Sequence, residues 1–116
     1  MADNDCIFCK IAAGDIPSDP VYTDDRFYAF RDINPGAPTH VLIIPREHIA
    51  RITDVGNEHR ELLGDMIMKA NEIAIQEGLT ENGFRYVLNC DEWGGQTVFH
   101  IHLHILGGRA LAWPPG

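Results

Sequence analysis

The chain is poor in positive charge: nine Lys and Arg stand against seventeen Asp and Glu in 116 residues, a net charge of −8. The basic residues are scattered singly, which excludes the continuous phosphate-tracking stripe that a nucleic-acid polymer requires. A small phosphate is not excluded, because backbone N–H groups and His supply local positive potential without formal charge. Long apolar runs are also missing. No stretch approaches the roughly 18 to 20 residues of a membrane helix, so no membrane association is expected. The opening MADNDCIFCK is acidic and lacks the basic start and apolar stretch of a secretory leader, so a cytoplasmic location is expected. Cysteine is scarce and odd in number. Cys6, Cys9 and Cys90 cannot all pair within one chain, and in a reducing compartment they are free or metal-bound. Repeats, low-complexity stretches and linkers are absent, and the length suits a single domain over 1–116.

What is present reads as alternating strands around one long helix. Residues 6–13 suit a short helix closed by Gly14 and Pro17. Strands are predicted at 21–23, 27–31 and 40–44, the last so apolar that it should be buried on both faces. Leu63, Met66, Ile67, Ala70, Ile73 and Ala74 repeat at three- and four-residue spacing, which predicts a helix over 58–77. Asn57 is placed to cap it and Gly78 to end it. Two further strands are predicted at 84–89 and 98–106, joined by the Gly-rich loop 91–96. Strands on both sides of a single helix predict an α+β fold: a five-stranded antiparallel sheet with one long helix and a short N-terminal one. The tail Trp113-Pro114-Pro115-Gly116 should be extended.

The segment His100-Ile101-His102-Leu103-His104-Ile105-Leu106 carries the chemistry. Side chains alternate faces along a strand, so the three imidazoles should share one face while Phe99, Ile101, Leu103 and Ile105 fill the other. Imidazole serves near neutral pH as nucleophile, acid, donor or metal ligand. Two other readings stand beside catalysis. One is a chance His run on a solvated face. The other is a three-His zinc site, which a single strand serves poorly because same-face positions lie roughly 7 Å apart.

This segment matches the His-x-His-x-His-x-x motif, and the chain resembles the histidine triad superfamily. The likeness extends to Cys6-Ile7-Phe8-Cys9-Lys10-Ile11, Phe30-Arg31-Asp32-Ile33-Asn34-Pro35, Ala37-Pro38-Thr39-His40, Ile44-Pro45-Arg46-Glu47-His48-Ile49 and Leu106-Gly107-Gly108-Arg109. The ending Trp113-Pro114-Pro115-Gly116 resembles the Hint branch, the histidine triad nucleotide-binding proteins. That resemblance implies a homodimer with the sheet continued across its interface. It also implies hydrolysis of purine nucleoside phosphoramidates through a nucleotidyl-histidine intermediate. By the same resemblance His102 is the nucleophile, His104 and His100 assist by binding the phosphate and holding the nucleophile in place, and His40 lies nearby. Asn89, Gly95, Gln96, Thr97 and Val98 match positions lining the phosphate. Ile7, Phe8, Ile11, Phe30, Asp32 and Ile33 match the nucleoside pocket, which would take AMP, GMP or an adenosine phosphoramidate.

Residue chemistry agrees with these roles. Imidazole attack at phosphorus divides one difficult displacement into two, and Thr97 or a neighbouring His can relay the proton that the amine needs. The Gly94-Gly95 turn offers N–H donors to phosphoryl oxygens, and Asp32 can accept from both ribose hydroxyls. For Asp32 alone the alternative is a turn former before Asn34-Pro35. No cofactor is required for this catalysis. Some superfamily members bind structural zinc at the positions of Cys6, Cys9, His48 and His100, and the alternative is two free thiols on one helix face. Such zinc would draw His100 away from direct catalysis. The chain departs from relatives at Arg31, where animal Hint proteins carry His, a change expected to alter base preference. It departs again at Thr97, where many have Ser and the added methyl should slow proton relay. Cys90 is expected to be a small buried hydrophobe. Other functional readings are a dinucleoside polyphosphate hydrolase or nucleotidyl transferase of the same superfamily, and a nucleotide-binding adaptor.

Overall fold

Apolar alternation in the strands builds a sheet that is covered on both faces. The computed structural model describes residues 5–116. Five antiparallel strands, β1 (Pro20–Thr23), β2 (Phe27–Arg31), β3 (Thr39–Pro45), β4 (Arg85–Val87) and β5 (Leu103–Gly107), lie in the order β1-β2-β3-β5-β4. Central β3 is buried on both faces, as its apolar run predicts. Val41 and Ile43 join Phe27, Ala29, Leu103 and Ile105 against the long helix α2 (Arg60–Gln76). Leu42 and Ile44 face the other way, joining Phe30 against Phe8, Cys9 and Ile11 of the short helix α1 (Ile7–Ala13). The two helices thus lie on opposite faces of the sheet, and each strand's period of two divides its side chains between them.

Local chemistry sets the ends of α1. The Cys6 sulfur accepts the Cys9 N–H at 3.4 Å at the start, and Gly14 ends the helix with φ 85°, a left-handed backbone that glycine adopts without a Cβ penalty. Arg46 then ties the helix down, donating to the Ala12 carbonyl at 2.8 Å and to the Asp24 carbonyl at 2.7 Å.

The structure differs most from the sequence expectations in the bounds of three elements. Helix α2 starts at Arg60, because a 3-10 turn over Asn57–His59 precedes it. His59 Nδ1 accepts the Gly56 N–H at 3.0 Å and closes that turn, while Asn57 Oδ1 accepts from Arg60 Nε instead of capping the helix. β4 is three residues long. β5 begins at Leu103, five residues later than its alternation suggests, because the pairing with β3 stops at Ile43 opposite Leu103. Before that point the Ile101 N–H bonds the Ile49 carbonyl at 2.8 Å. His100 and His102 therefore precede the strand, and Phe99 is 38% exposed rather than packed in the core. Cys90 is half-buried, not buried. After β5 the chain forms neither helix nor strand, consistent with its prolines, and Arg85 holds it back through the Ala112 carbonyl at 2.7 Å.

Ile43 touches no solvent and sits under α2 in the central strand. Ile43→Ala should lower unfolding free energy by about 2–5 kcal/mol, the cost of lost burial plus an unfilled cavity, read from urea denaturation.

Candidate functional site: a relay of histidines beside a nucleoside-sized cavity

On the α1 face of the sheet lies a cavity of about 300 Å³. Ile7, Phe8 and Ile11 of α1 form one wall, and Phe30, Asp32 and Ile33 from the end of β2 form another. All six were expected to hold a nucleoside, and the structure brings them together. Phe8 and Phe30 meet edge-to-face with centroids 5.5 Å apart, a geometry that fixes both rings. Thr97, Val98, His102 and His104 close the remaining side. Ile16, Pro17, Ser18, Arg31 and Leu42 also line it. Of these, Leu42 was legible as the same-face neighbour of His40 on β3; the loop residues carry no sequence signal.

Hydrogen bonds to groups of fixed polarity assign the tautomers of four imidazoles. His100 Nε2 lies 2.7 Å from the Pro45 carbonyl, and His102 Nδ1 lies 2.7 Å from the His100 carbonyl. A carbonyl only accepts, so both nitrogens carry protons. His102 Nε2 is left with its lone pair free. The Gly36 N–H donates to His40 Nδ1 at 2.9 Å, so His40 carries its proton on Nε2 and gives it to His104 Nδ1, 2.8 Å away. His104 Nε2 is then a donor. The site thus pairs an unprotonated nitrogen on His102 with an N–H on its neighbour, the two rings 5.0 Å apart.

Burial keeps these rings neutral. It lowers His102 below its ordinary value of 6.5, against the opposing pull of the His100 carbonyl and the Asp32 carboxylate. Burial also takes His104 down to about 4, aided by its His102 and His40 neighbours. His40 is lowered by burial too, although the Asp32 carboxylate 3.6 Å away pulls the other way. Asp32 is held in turn by the Asn34 N–H at 2.8 Å.

His100 does not share the cavity. Fully buried, it turns its free Nδ1 towards Cys6 Sγ at 3.4 Å, Cys9 Sγ at 3.5 Å and His48 Nδ1 at 3.2 Å, with His48 Nδ1 also 3.4 Å from Cys9 Sγ. Of the two expected roles of His100, its place outside the cavity leaves no phosphate contact, while its carbonyl holds His102. A tetrahedral zinc with ordinary bond lengths would set its S···N edges near about 3.6 Å and its N···N edges near about 3.3 Å. The S···N and N···N contacts above come close to those edges, and all four donors lie within 4.8 Å of one another, so the set fits zinc.

The phosphate-side expectations divide. Thr97 and Val98 line the cavity. Gln96 is buried, its amide donating to the Ala50 and Val98 carbonyls at 2.7 and 3.2 Å and accepting the Asp91 N–H at 2.8 Å. Its side chain braces the loop and offers nothing to a phosphate. Asn89 lies beside Gly95, its amide 3.8 Å from where a Cβ on Gly95 would stand, and neither lines the cavity. Arg31 also lines the cavity, and its guanidinium grips both Glu77 oxygens at 2.8 and 3.1 Å.

The HIT domain model matches residues 13–111. The chain belongs to the HIT domain family. Among relatives of this HIT domain, the purine nucleoside phosphoramidase of Escherichia coli K12 is 55% identical over 90% of this chain and 88% of its own length. The 14 kDa zinc-binding protein of Zea mays is 48% identical over all of this chain and 91% of its own. The HIT family hydrolase from Legionella pneumophila Philadelphia 1 superposes with a TM-score of 0.95 at 54% identity, covering 97% of this chain and all of that one.

His104 has a folded pKa of about 4 against 6.5 when free. Protons therefore favour the unfolded chain between those values, so stability is full above about pH 6.5 and falls as pH drops towards 4. The urea midpoint of the HIT domain should follow that course, and His104→Asn, which cannot titrate, should fall less steeply over the same range.

Proposed function

We propose that the protein hydrolyses purine nucleoside phosphoramidates, with His102 as nucleophile. The observation that carries this reading is the unprotonated Nε2 of a buried, neutral His102 on the wall of a nucleoside-sized cavity. The phosphoramidase named above, 55% identical to this chain over the 105 residues they share, supports the same class of reaction. The base lies between Phe8, Phe30 and the isoleucines, Asp32 accepts from the ribose hydroxyls, and His104 Nε2–H donates to a phosphoryl oxygen.

The lone pair of His102 Nε2 attacks phosphorus, forming an N–P bond as the bond to the amine breaks. The amine departs with a proton relayed from solvent by the Thr97 hydroxyl. Water then attacks the nucleotidyl-histidine, releases its proton and returns the electron pair to Nε2, giving the nucleoside monophosphate. His40 is a positioning residue here, because its Nε2–H holds His104 in the donating tautomer.

Two further assignments belong to this reading. Cys6, Cys9, His48 and His100 hold zinc, which when bound ties the N-terminal turn to the segment before β5 and supplies no chemistry to the reaction. The protein forms a homodimer, for which the edge strand β4 and the exposed Ile67, Met68 and Ile75 of α2 provide pairing groups and apolar surface.

Adenosine phosphoramidate and diadenosine polyphosphate, assayed side by side, test the activity. The phosphoramidate should turn over faster, and His102→Ala should lose about 10³-fold or more while still folded and binding AMP. Preference for the polyphosphate would place the protein in the superfamily's other enzyme group, and no turnover of either would favour an adaptor. Metal analysis tests the zinc assignment: purified protein should carry one zinc per chain, and Cys9→Ser should lose the metal and lower the melting temperature.

A further inference from the structure

Cys6 and Cys9 flank Ile7 and Phe8 at the start of α1, and their sulfurs can hold zinc only while they are reduced. We propose that this pair is an oxidation site: a peroxide closes it into a disulfide, which releases the zinc and weakens nucleotide binding in the neighbouring cavity. The inference rests on the zinc and nucleotide readings above.

The sulfurs are already close. They lie within 4.8 Å of each other, and the Cys9 N–H holds Cys6 Sγ over the first turn at 3.4 Å. A disulfide sets its sulfurs about 2.0 Å apart, so less than about 3 Å of travel closes it. Both side chains are buried, yet Cys6 and His48 line an open cavity of about 250 Å³ beside α1. That space admits a molecule as small as hydrogen peroxide and brings it to Cys6. Cys9 does not line it, which makes Cys6 the attacking sulfur and Cys9 the resolving one. Cys90 belongs to neither the cavity nor the donor cluster and contacts Thr53 at 3.7 Å.

The Cys6 thiolate attacks one peroxide oxygen and the O–O bond breaks, giving Cys6 sulfenic acid and a hydroxide that a solvent proton converts to water. The Cys9 thiolate then attacks the Cys6 sulfur. The S–O bond breaks, and the second hydroxide takes another solvent proton. Two thiolates have lost two electrons, and one peroxide has become two waters. A disulfide lacks the thiolate charge that binds zinc, so only the imidazoles of His48 and His100 remain to hold the ion. The reshaped turn also carries part of the nucleoside cavity. Phe8 meets the Phe30 ring at 5.5 Å and the His102 ring at 5.0 Å between centroids, and drawing its two neighbours together displaces it from both.

The test uses Cys90→Ser protein, which leaves one pair of thiols. Hydrogen peroxide is added while a chromogenic chelator reads zinc release, peptide mass spectrometry maps the disulfide, and calorimetry gives the AMP Kd before and after. One zinc should leave per Cys6–Cys9 disulfide formed, and the AMP Kd should rise about fivefold or more. Dithiothreitol with added zinc should reverse both changes. Oxidation that stops at sulfinic acid without a Cys6–Cys9 disulfide, zinc that stays on the disulfide form, or an unchanged AMP Kd would overturn the proposal. Protein that never carried zinc would overturn the metal assignment alone, because the disulfide and the AMP Kd are still read on its free thiols. Reduced protein that bound no AMP would overturn the nucleotide reading, while the disulfide and the zinc release still decide the oxidation site.

Discussion

The site depends on one imidazole that stands outside the cavity. His100 is fully buried, and both of its hydrogen-bonding directions are committed by backbone and neighbours. Its ring N–H to the Pro45 carbonyl fixes its orientation at the end of β3. Its own carbonyl then fixes the tautomer of His102. A buried polar ring is costly unless every donor and acceptor is satisfied, and here the satisfied arrangement leaves a single nitrogen free on the residue that faces the cavity. His100 also presents its other nitrogen to Cys6, Cys9 and His48. The N-terminal turn, the end of the central strand and His102 therefore meet at one residue.

A second, independent chain of contacts orients the donor. It runs from the Gly36 N–H through His40 to His104. The two chains give neighbouring rings opposite roles, one with a lone pair and one with an N–H pointing to the same space. Burial makes this arrangement stable near neutral pH, since it lowers the affinity of both rings for a second proton. A cationic His102 could not attack, and a cationic His104 would lose the acceptor that His40 needs. The same desolvation that makes the site expensive to build keeps its protonation pattern fixed.

Much of this architecture was legible from residue order. The continuous apolar run of β3 correctly implied burial on two faces, and the stripe along α2 implied one packed face, although Leu62 takes a core place and Ile67 stays exposed. Ile7, Phe8, Ile11, Phe30, Asp32 and Ile33, grouped by the family resemblance, line one cavity. The start of β5 was not legible, because alternation continues through residues 98–102 although no strand partner remains for them. That boundary decided where the histidines went. With His100 on the same strand as His104 it would share the cavity; released from the strand, it turns to the cysteines. Gln96 illustrates a different limit. Its amide could equally serve a phosphate or a carbonyl, and only the fold shows the Ala50 and Val98 carbonyls within reach. The loop residues Ile16, Pro17 and Ser18 come to the cavity through the chain's path after α1, which leaves no pattern in their identities.

The central claim is that fixed-polarity hydrogen bonds preset the tautomers of the site, and long-range proton–nitrogen NMR correlation of the imidazoles reads it directly. At neutral pH the spectra should show His102 neutral and protonated on Nδ1, with His100, His40 and His104 neutral and protonated on Nε2. A His102 ring protonated on Nε2, or one exchanging between tautomers, would contradict the account, because the nitrogen assigned to attack would then be blocked or held in place by nothing.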